Sequence, residues 1–127
     1  GMNGKMQALQ FARENNIPCL GICLGMQLMV IEALRNIDGI QVNSSEFEPG
    51  ISKPAIGLID ECMRDVKGGT MRLGSYPCVM SSQMHDLYSN IADRLQNNVA
   101  SERHRHRYEV NHAEYQQYLE KYFDLSL

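Results

Sequence analysis

Between residues 4 and 16, "GKMQALQFARENN", apolar side chains return at Met6, Leu9 and Ala12, the spacing of one helix face. Asn3 is placed to cap that helix. Asn15-Asn16 end the pattern, and Ile17-Pro18 cannot continue it, because the residue before a proline is pushed out of the helical region. "IPCLGI", 17–22, is a short apolar run with breakers around it, which predicts a buried strand. "LGMQLMVIEALRNI", 24–37, predicts a second helix, apolar on nearly every side except at Gln27, Glu32 and Arg35. A helix of that kind packs deep in a domain. Asp38-Gly39 supplies its stop. Helix, buried strand, helix is the repeat unit of an α/β fold with a parallel sheet.

Residues 40–75 have no clean period, and Pro49-Gly50, Pro54 and Gly68-Gly69 punctuate them. They predict loop, with short strands near 56–59 and 70–73. So long a loop in a compact domain is uncommon and often functional. "YPCVM", 76–80, reads as a strand, and "MHDLYSNIADRL", 84–95, as a helix with Leu87, Ile91 and Leu95 on one face. "RHRHRYEVN", 103–111, alternates as a strand does: Arg103, Arg105 and Arg107 on one face, His104, His106 and Tyr108 on the other. "HAEYQQYLEKYF", 112–123, predicts a last helix with Tyr115, Tyr118, Leu119 and Tyr122 together.

A chain of 127 residues fits a single domain with one core. Its net charge of −3 offers no field to draw in nucleic acid or an anionic membrane. No apolar run approaches the roughly 20 residues that span a bilayer, and no signal peptide opens the chain. Cys19, Cys23, Cys62 and Cys78 form no C-x-x-C pair. They read as reduced thiols of a cytoplasmic protein, without the paired ligands of a zinc site.

Cys23 has a special setting. It falls where strand 17–22 should meet helix 24–37, between Gly21 and Gly25, as G-x-C-x-G. This is the thiol counterpart of the serine elbow, in which flanking glycines admit a sharp turn and the nucleophile projects from it. A helix N-terminus favours a thiolate, and the amide of the next residue, Leu24, is placed to hold an oxyanion. The plain alternative is a small buried cysteine at a tight turn. The other three cysteines lack this setting.

"NNIPCLGICLGMQL" resembles the nucleophile segment of class I glutamine amidotransferases of the triad type. "ARENNIP", "GICLGMQ", "NSSEF", "GGTMRLGSYPC" and "ERHRHRYEVN", in that order, resemble the glutaminase domain of the CTP synthase family. The resemblance runs from about residue 3 to about 120 and is looser in 47–67 and 80–100. It implies a parallel-sheet sandwich of the flavodoxin-like class I type, incomplete here, as one partial domain over residues 1–127. It also implies that glutamine is hydrolysed to glutamate and ammonia, for the ATP-dependent amination of UTP to CTP. Cys23 matches the nucleophile, Leu24 an oxyanion-hole amide, and Gln27 a substrate contact. Glu46 matches the acid that binds the α-ammonium of L-glutamine, and Arg105 the partner of its α-carboxylate. The types suit the task, since a free amino acid needs a carboxylate and a guanidinium at its two charges. Without the resemblance, Glu46 reads as an exposed loop carboxylate and "RHRHR" as a solvated basic strand or a nucleic-acid stripe, the stripe being disfavoured by the chain's acidic balance and by Glu102 and Glu109 at its ends.

The resemblance implies no metal and no cofactor for this domain; ATP, Mg2+ and a GTP activator belong to the full-length enzyme. Its partner there is the amidoligase domain, which these residues do not include. The family's H-P-E motif, which carries the triad histidine and acid, does not occur in the sequence, nor does its P-G-G-F-G oxyanion loop. The expectation is therefore a piece of a glutaminase domain, nearly inert by itself. The alternative is a truncated paralogue that binds glutamine or a protein partner without turnover. An incomplete sheet exposes edges, so homodimers or swapped assemblies are also expected.

Overall fold

The first apolar stripe folds as helix α1, Met2–Glu14, in a computed structural model that describes residues 1–58, 71–81, 95–96 and 99–123. Gly1 stands at its N-cap, and Asn3 lies inside the helix and does not cap it. Met2 packs on the core and draws the helix start outward past Asn3. Helix α2, Leu24–Asn36, is as deep as its composition demands: Leu28, Val30, Ile31, Ala33 and Leu34 are buried. Its polar exceptions each find a partner. Gln27 Nε2 donates to the Tyr108 carbonyl, Arg35 Nε to the Val42 carbonyl, and Glu32 accepts from Arg13 and Asn36. Buried polar groups persist only on such terms.

Five strands follow among the described residues: β1, Ile56–Leu58; β2, Arg72–Val79; β3, Leu95–Gln96; β4, Val99–His106; and β5, Tyr108–Val110. Helix α3, His112–Tyr122, closes the described chain, and Asn111 caps it by accepting from the Glu114 amide. β1 and β5 pair antiparallel, with Leu58 opposite Tyr108. β2, β4 and β3 form a second antiparallel sheet, with Leu73 opposite Arg105. Parallel pairing is present as a bridge between Ser44 and Ile56. The helix expected over 84–95 lies outside the described residues, except for Leu95.

The core is built from α2, α3 and the stretch that joins them to β1: Leu28, Ile31, Leu34, Val42, Ile56 and Leu119. Residues 40–55, which lack a period, are stitched in by main-chain bonds. The Ala55 amide donates to Asn43, the Ser45 amide to Ile56, and the Asn111 amide to Ala55. Tyr115 anchors α3 to the same stretch, donating to the Lys53 carbonyl at 2.8 Å. Burial, reinforced by the charge of Glu114, raises the Tyr115 phenol above its ordinary range. The folded chain thus holds this proton more tightly than the unfolded chain does. The stabilisation is complete below about pH 10 and is lost as pH climbs toward the folded value. Urea midpoints are expected to be flat up to that pH and then to fall. Tyr115→Phe should flatten the fall, though not abolish it, because burial and Asp38 raise Tyr122 too. An equal fall in Tyr115→Phe would show that Tyr115 is not its source.

Residues 17–22 differ from expectation. They form no ladder with any described residue, and Ile17, Leu20 and Ile22 are 48%, 84% and 74% exposed. The run has the side chains of a buried strand. A ladder also needs a neighbour, which lies outside what a single segment can specify.

Candidate functional site

Cys23 is the N-cap of α2, with φ 55 and ψ −115. An L-residue holds such a backbone at a penalty of order 1–3 kcal/mol, and strain of this kind clusters at functional positions. The thiol is exposed at the apex of the turn. Gly21 makes the turn fit: a Cβ there would press on Met29 Sδ and stand 2.7 Å from the Met26 nitrogen. Gly25 differs. A Cβ there meets nothing within 4 Å, so only one of the flanking glycines is required by packing. Its amide donates to the Ile22 carbonyl at 2.9 Å and closes the turn. Leu24, as the first residue of α2, carries one of the amides that a helix cannot satisfy from within.

One turn along α2, Gln27 Nε2 reaches the Tyr108 carbonyl at 3.4 Å. The start of the helix is thereby tied to β5. Glu46 stands on a turn organised by Ser44, which is fully buried. The Ser44 amide donates to Asn43 Oδ1, its carbonyl accepts from the amides of Phe47 and Glu48, and its Oγ accepts from the Glu46 amide. The "NSSEF" segment is thus a hydrogen-bonded turn centred on Ser44. The Glu46 carboxylate is exposed and pairs with no described residue, whereas Asn43 holds Glu48 at 3.0 Å.

Arg105 lies on β4, where the expected alternation holds: Arg103, Arg105 and Arg107 are exposed, and His104, His106 and Tyr108 are half-buried. The Arg105 guanidinium also pairs with no described residue. The alternation breaks at Arg107, between β4 and β5. Straight alternation would put Glu109 with the arginines. The bend instead brings its Oε1 to within 2.6 Å of His106 Nε2. No pattern in "RHRHRYEVN" signals this bend.

Leu58 faces Tyr108, and Tyr108 meets Gln27, so the β1–β5 pair adjoins the first turn of α2. Glu46 lies in the turn that follows the Ser44–Ile56 bridge, and Arg105 on β4 opposite Leu73. The candidate residues carry a thiol, a helix amide, a carboxylate and a guanidinium, types that suit a small zwitterion with a reactive carbonyl. Among the described residues, no cluster of His, Cys, Asp and Glu could hold a metal, and no helix is long and apolar enough to cross a membrane. A cavity of about 530 Å³ lies elsewhere, between α1, α2 and the end of α3, lined by Leu9, Ala12, Ile17, Met29 and Phe123.

Residues 1–126 match the family described as glutamine amidotransferase class-I. The chain is 51% identical over 125 residues to a CTP synthase of Methanococcus maripaludis, covering 95% of this chain and 22% of that protein. It is 49% identical over 125 residues to a CTP synthase of Fibrobacter succinogenes, covering 95% of this chain and 21% of that protein. The chain thus spans about a fifth of the length of these curated relatives. Its fold is similar to that of the Trypanosoma brucei CTPS glutaminase domain solved with bound acivicin. The TM-score is 0.74 at 43% identity, over 95% of this chain and 44% of that one.

Proposed function

We propose, from the premise that this chain belongs to the class-I glutamine amidotransferase family and shares its fold, that it is the glutamine-hydrolysing part of a CTP synthase. The observation that carries this reading is Cys23, held exposed and strained at the head of α2, with Gln27 one turn behind it. The thiolate attacks the side-chain amide carbon of glutamine. The resulting oxyanion faces the Leu24 amide, the C–N bond breaks, and ammonia leaves with a glutamyl thioester behind it. Water then releases glutamate and restores the thiol. Glu46 takes the α-ammonium and Arg105 the α-carboxylate. The ammonia aminates UTP at the amidoligase domain of the whole enzyme, at the expense of ATP.

The proton that the leaving amine needs has no histidine in an H-P-E motif to supply it among these residues. Triad enzymes without one member retain only residual catalysis, so slow turnover is expected of the 127-residue chain. Incubation with a diazo-ketone analogue of glutamine, read by intact mass and peptide mapping, tests the site. Cys23 should be labelled ahead of Cys19, Cys62 and Cys78, and free glutamine should protect it. Equal labelling of all four, or no protection, would sink the reading. Protection without ammonia release would leave the binding role alone. The exposed apolar segment 17–22 also points to self-association, which light scattering over a range of concentrations would show or exclude.

A further inference from the structure

The two described sheets differ in how they are held. Ile56 of β1 is part of the hydrophobic core, and Tyr108 and Val110 of β5 pack against it, beside α2 and α3. No described residue of β2, β3 or β4 belongs to that core. One face of the β2–β4 ladder is polar and aromatic instead. Arg72 lies over the Tyr76 ring at 5.4 Å, Tyr76 meets His104 edge to face at 5.4 Å, and the His104 and His106 rings stand 5.3 Å apart.

The chain joins the two sheets at Arg107, the bend between β4 and β5. A carboxylate joins them again. Glu109 stands on β5 opposite Gly57, yet its Oε1 lies 3.0 Å from Arg72 Nε and 2.6 Å from His106 Nε2. Arg72 and His106 are opposite each other in the β2–β4 register. One side chain of the core-side sheet therefore grips both strands of the other. The Glu109, Arg72 and His106 side chains are 17%, 28% and 31% exposed. Water is thinned there and not excluded, so these charge-assisted bonds are firm but can be exchanged for bonds to solvent. β5 itself is anchored on the core side, by its ladder with β1 and by Gln27, which donates to the Tyr108 carbonyl.

A small polar contact between two packed bodies leaves them free to move apart, whereas a shared apolar core does not. We infer that the β2–β4–β3 sheet opens from the core as a unit of its own, hinged at Arg107 and latched by Glu109. Cys23 and Gln27 belong to α2, on the core side, so the opening leaves the thiol's helix in place. The device does not depend on the proposed glutaminase chemistry.

Amide hydrogen exchange of the 127-residue chain, followed in rising sub-denaturing urea, reads the opening. Ladder amides of β4 should exchange at least about tenfold faster than those of residues 28–34 in α2. Their dependence on urea should be weaker, because a local opening exposes less surface than unfolding does. Glu109→Gln keeps the size of the side chain and removes its charge. It should quicken β4 exchange about tenfold, the usual worth of a hydrogen bond to a charged group. Exchange in α2 and alkylation of Cys23 by iodoacetamide should both stay within about twofold of the unsubstituted chain. One common rate and urea dependence for β4 and α2 in the unsubstituted chain would overturn the inference, whatever the variant does. Equal quickening of β4 and α2 in Glu109→Gln would overturn it too, since the carboxylate would then support the whole fold. Unchanged β4 exchange in the variant would overturn the assignment of Glu109 as the latch.

Discussion

Gly21→Ala is expected to destabilise the chain by about 3 kcal/mol, at the upper end of what overpacking costs. The added methyl would press on Met29 Sδ, stand 2.7 Å from the Met26 nitrogen and 2.8 Å from the Gly25 carbonyl carbon. A methionine side chain can swing away. The two backbone atoms belong to the first turn of α2 and cannot move without carrying Cys23 and Leu24 with them. Labelling of Cys23 should therefore fall along with stability. Gly25→Ala supplies the opposite expectation. Its methyl meets nothing within 4 Å, and the position lies inside α2. Alanine in place of helical glycine should stabilise by about 0.5–1 kcal/mol. Urea denaturation of the two variants side by side decides the matter. Equal losses at both glycines would mean that backbone freedom, and not the space beneath Gly21, shapes this turn.

Arg13→Met should cost about 2–3 kcal/mol, because it strands a charge. The Glu32 side chain is 4% exposed and receives Arg13 Nη2 at 2.8 Å, Arg13 Nε at 3.1 Å and Asn36 Nδ2 at 3.0 Å. Without the guanidinium, the carboxylate keeps one weak donor in an apolar setting. The figure lies below that for a fully buried pair because the Arg13 side chain is 36% exposed and water moderates the loss. The pairing with Glu32 also raises the arginine's own pKa, a sign that the charged form is the one favoured. Arg13→Met combined with Glu32→Met should recover most of the stability, since both charges then leave together. If the double variant is as unstable as Arg13→Met alone, lost packing of the arginine stem is the cause.

The helices were legible because their signals are local. The stripe of Met6, Leu9 and Ala12 and the composition of 24–37 place α1 and α2 to within a residue or two. The alternation in "RHRHR" separates the arginines from the histidines as the structure does. The G-x-C-x-G motif locates the strained turn, although it suggests a need for two glycines where packing requires one. What escaped the sequence depends on distant partners. Glu32 reads only as a polar exception on an apolar helix until Arg13, nineteen residues earlier, is seen beside it. The bend at Arg107 exists because β4 pairs with β2 while β5 pairs with β1, and neither register is written in the bent segment. Residues 40–55 look like loose loop because their order comes from main-chain bonds, which side-chain patterns do not record.

Among the described residues, the two with positive φ other than glycine, Asn16 at 53 and Cys23 at 55, bracket the stretch 17–22. The chain turns sharply at each, and both turns are closed by main-chain bonds, Ile17 to Ala12 and Gly25 to Ile22. α1 and α2 are packed together on either side. The six residues between the two turns thus span two fixed points, the end of α1 and the head of α2. A deletion between Asn16 and Cys23 shortens that span and would pull the thiol away from the end of its helix, whereas an insertion can bulge into the solvent that already surrounds Leu20 and Ile22. The nucleophile's place is therefore tied to a minimum length of chain from α1.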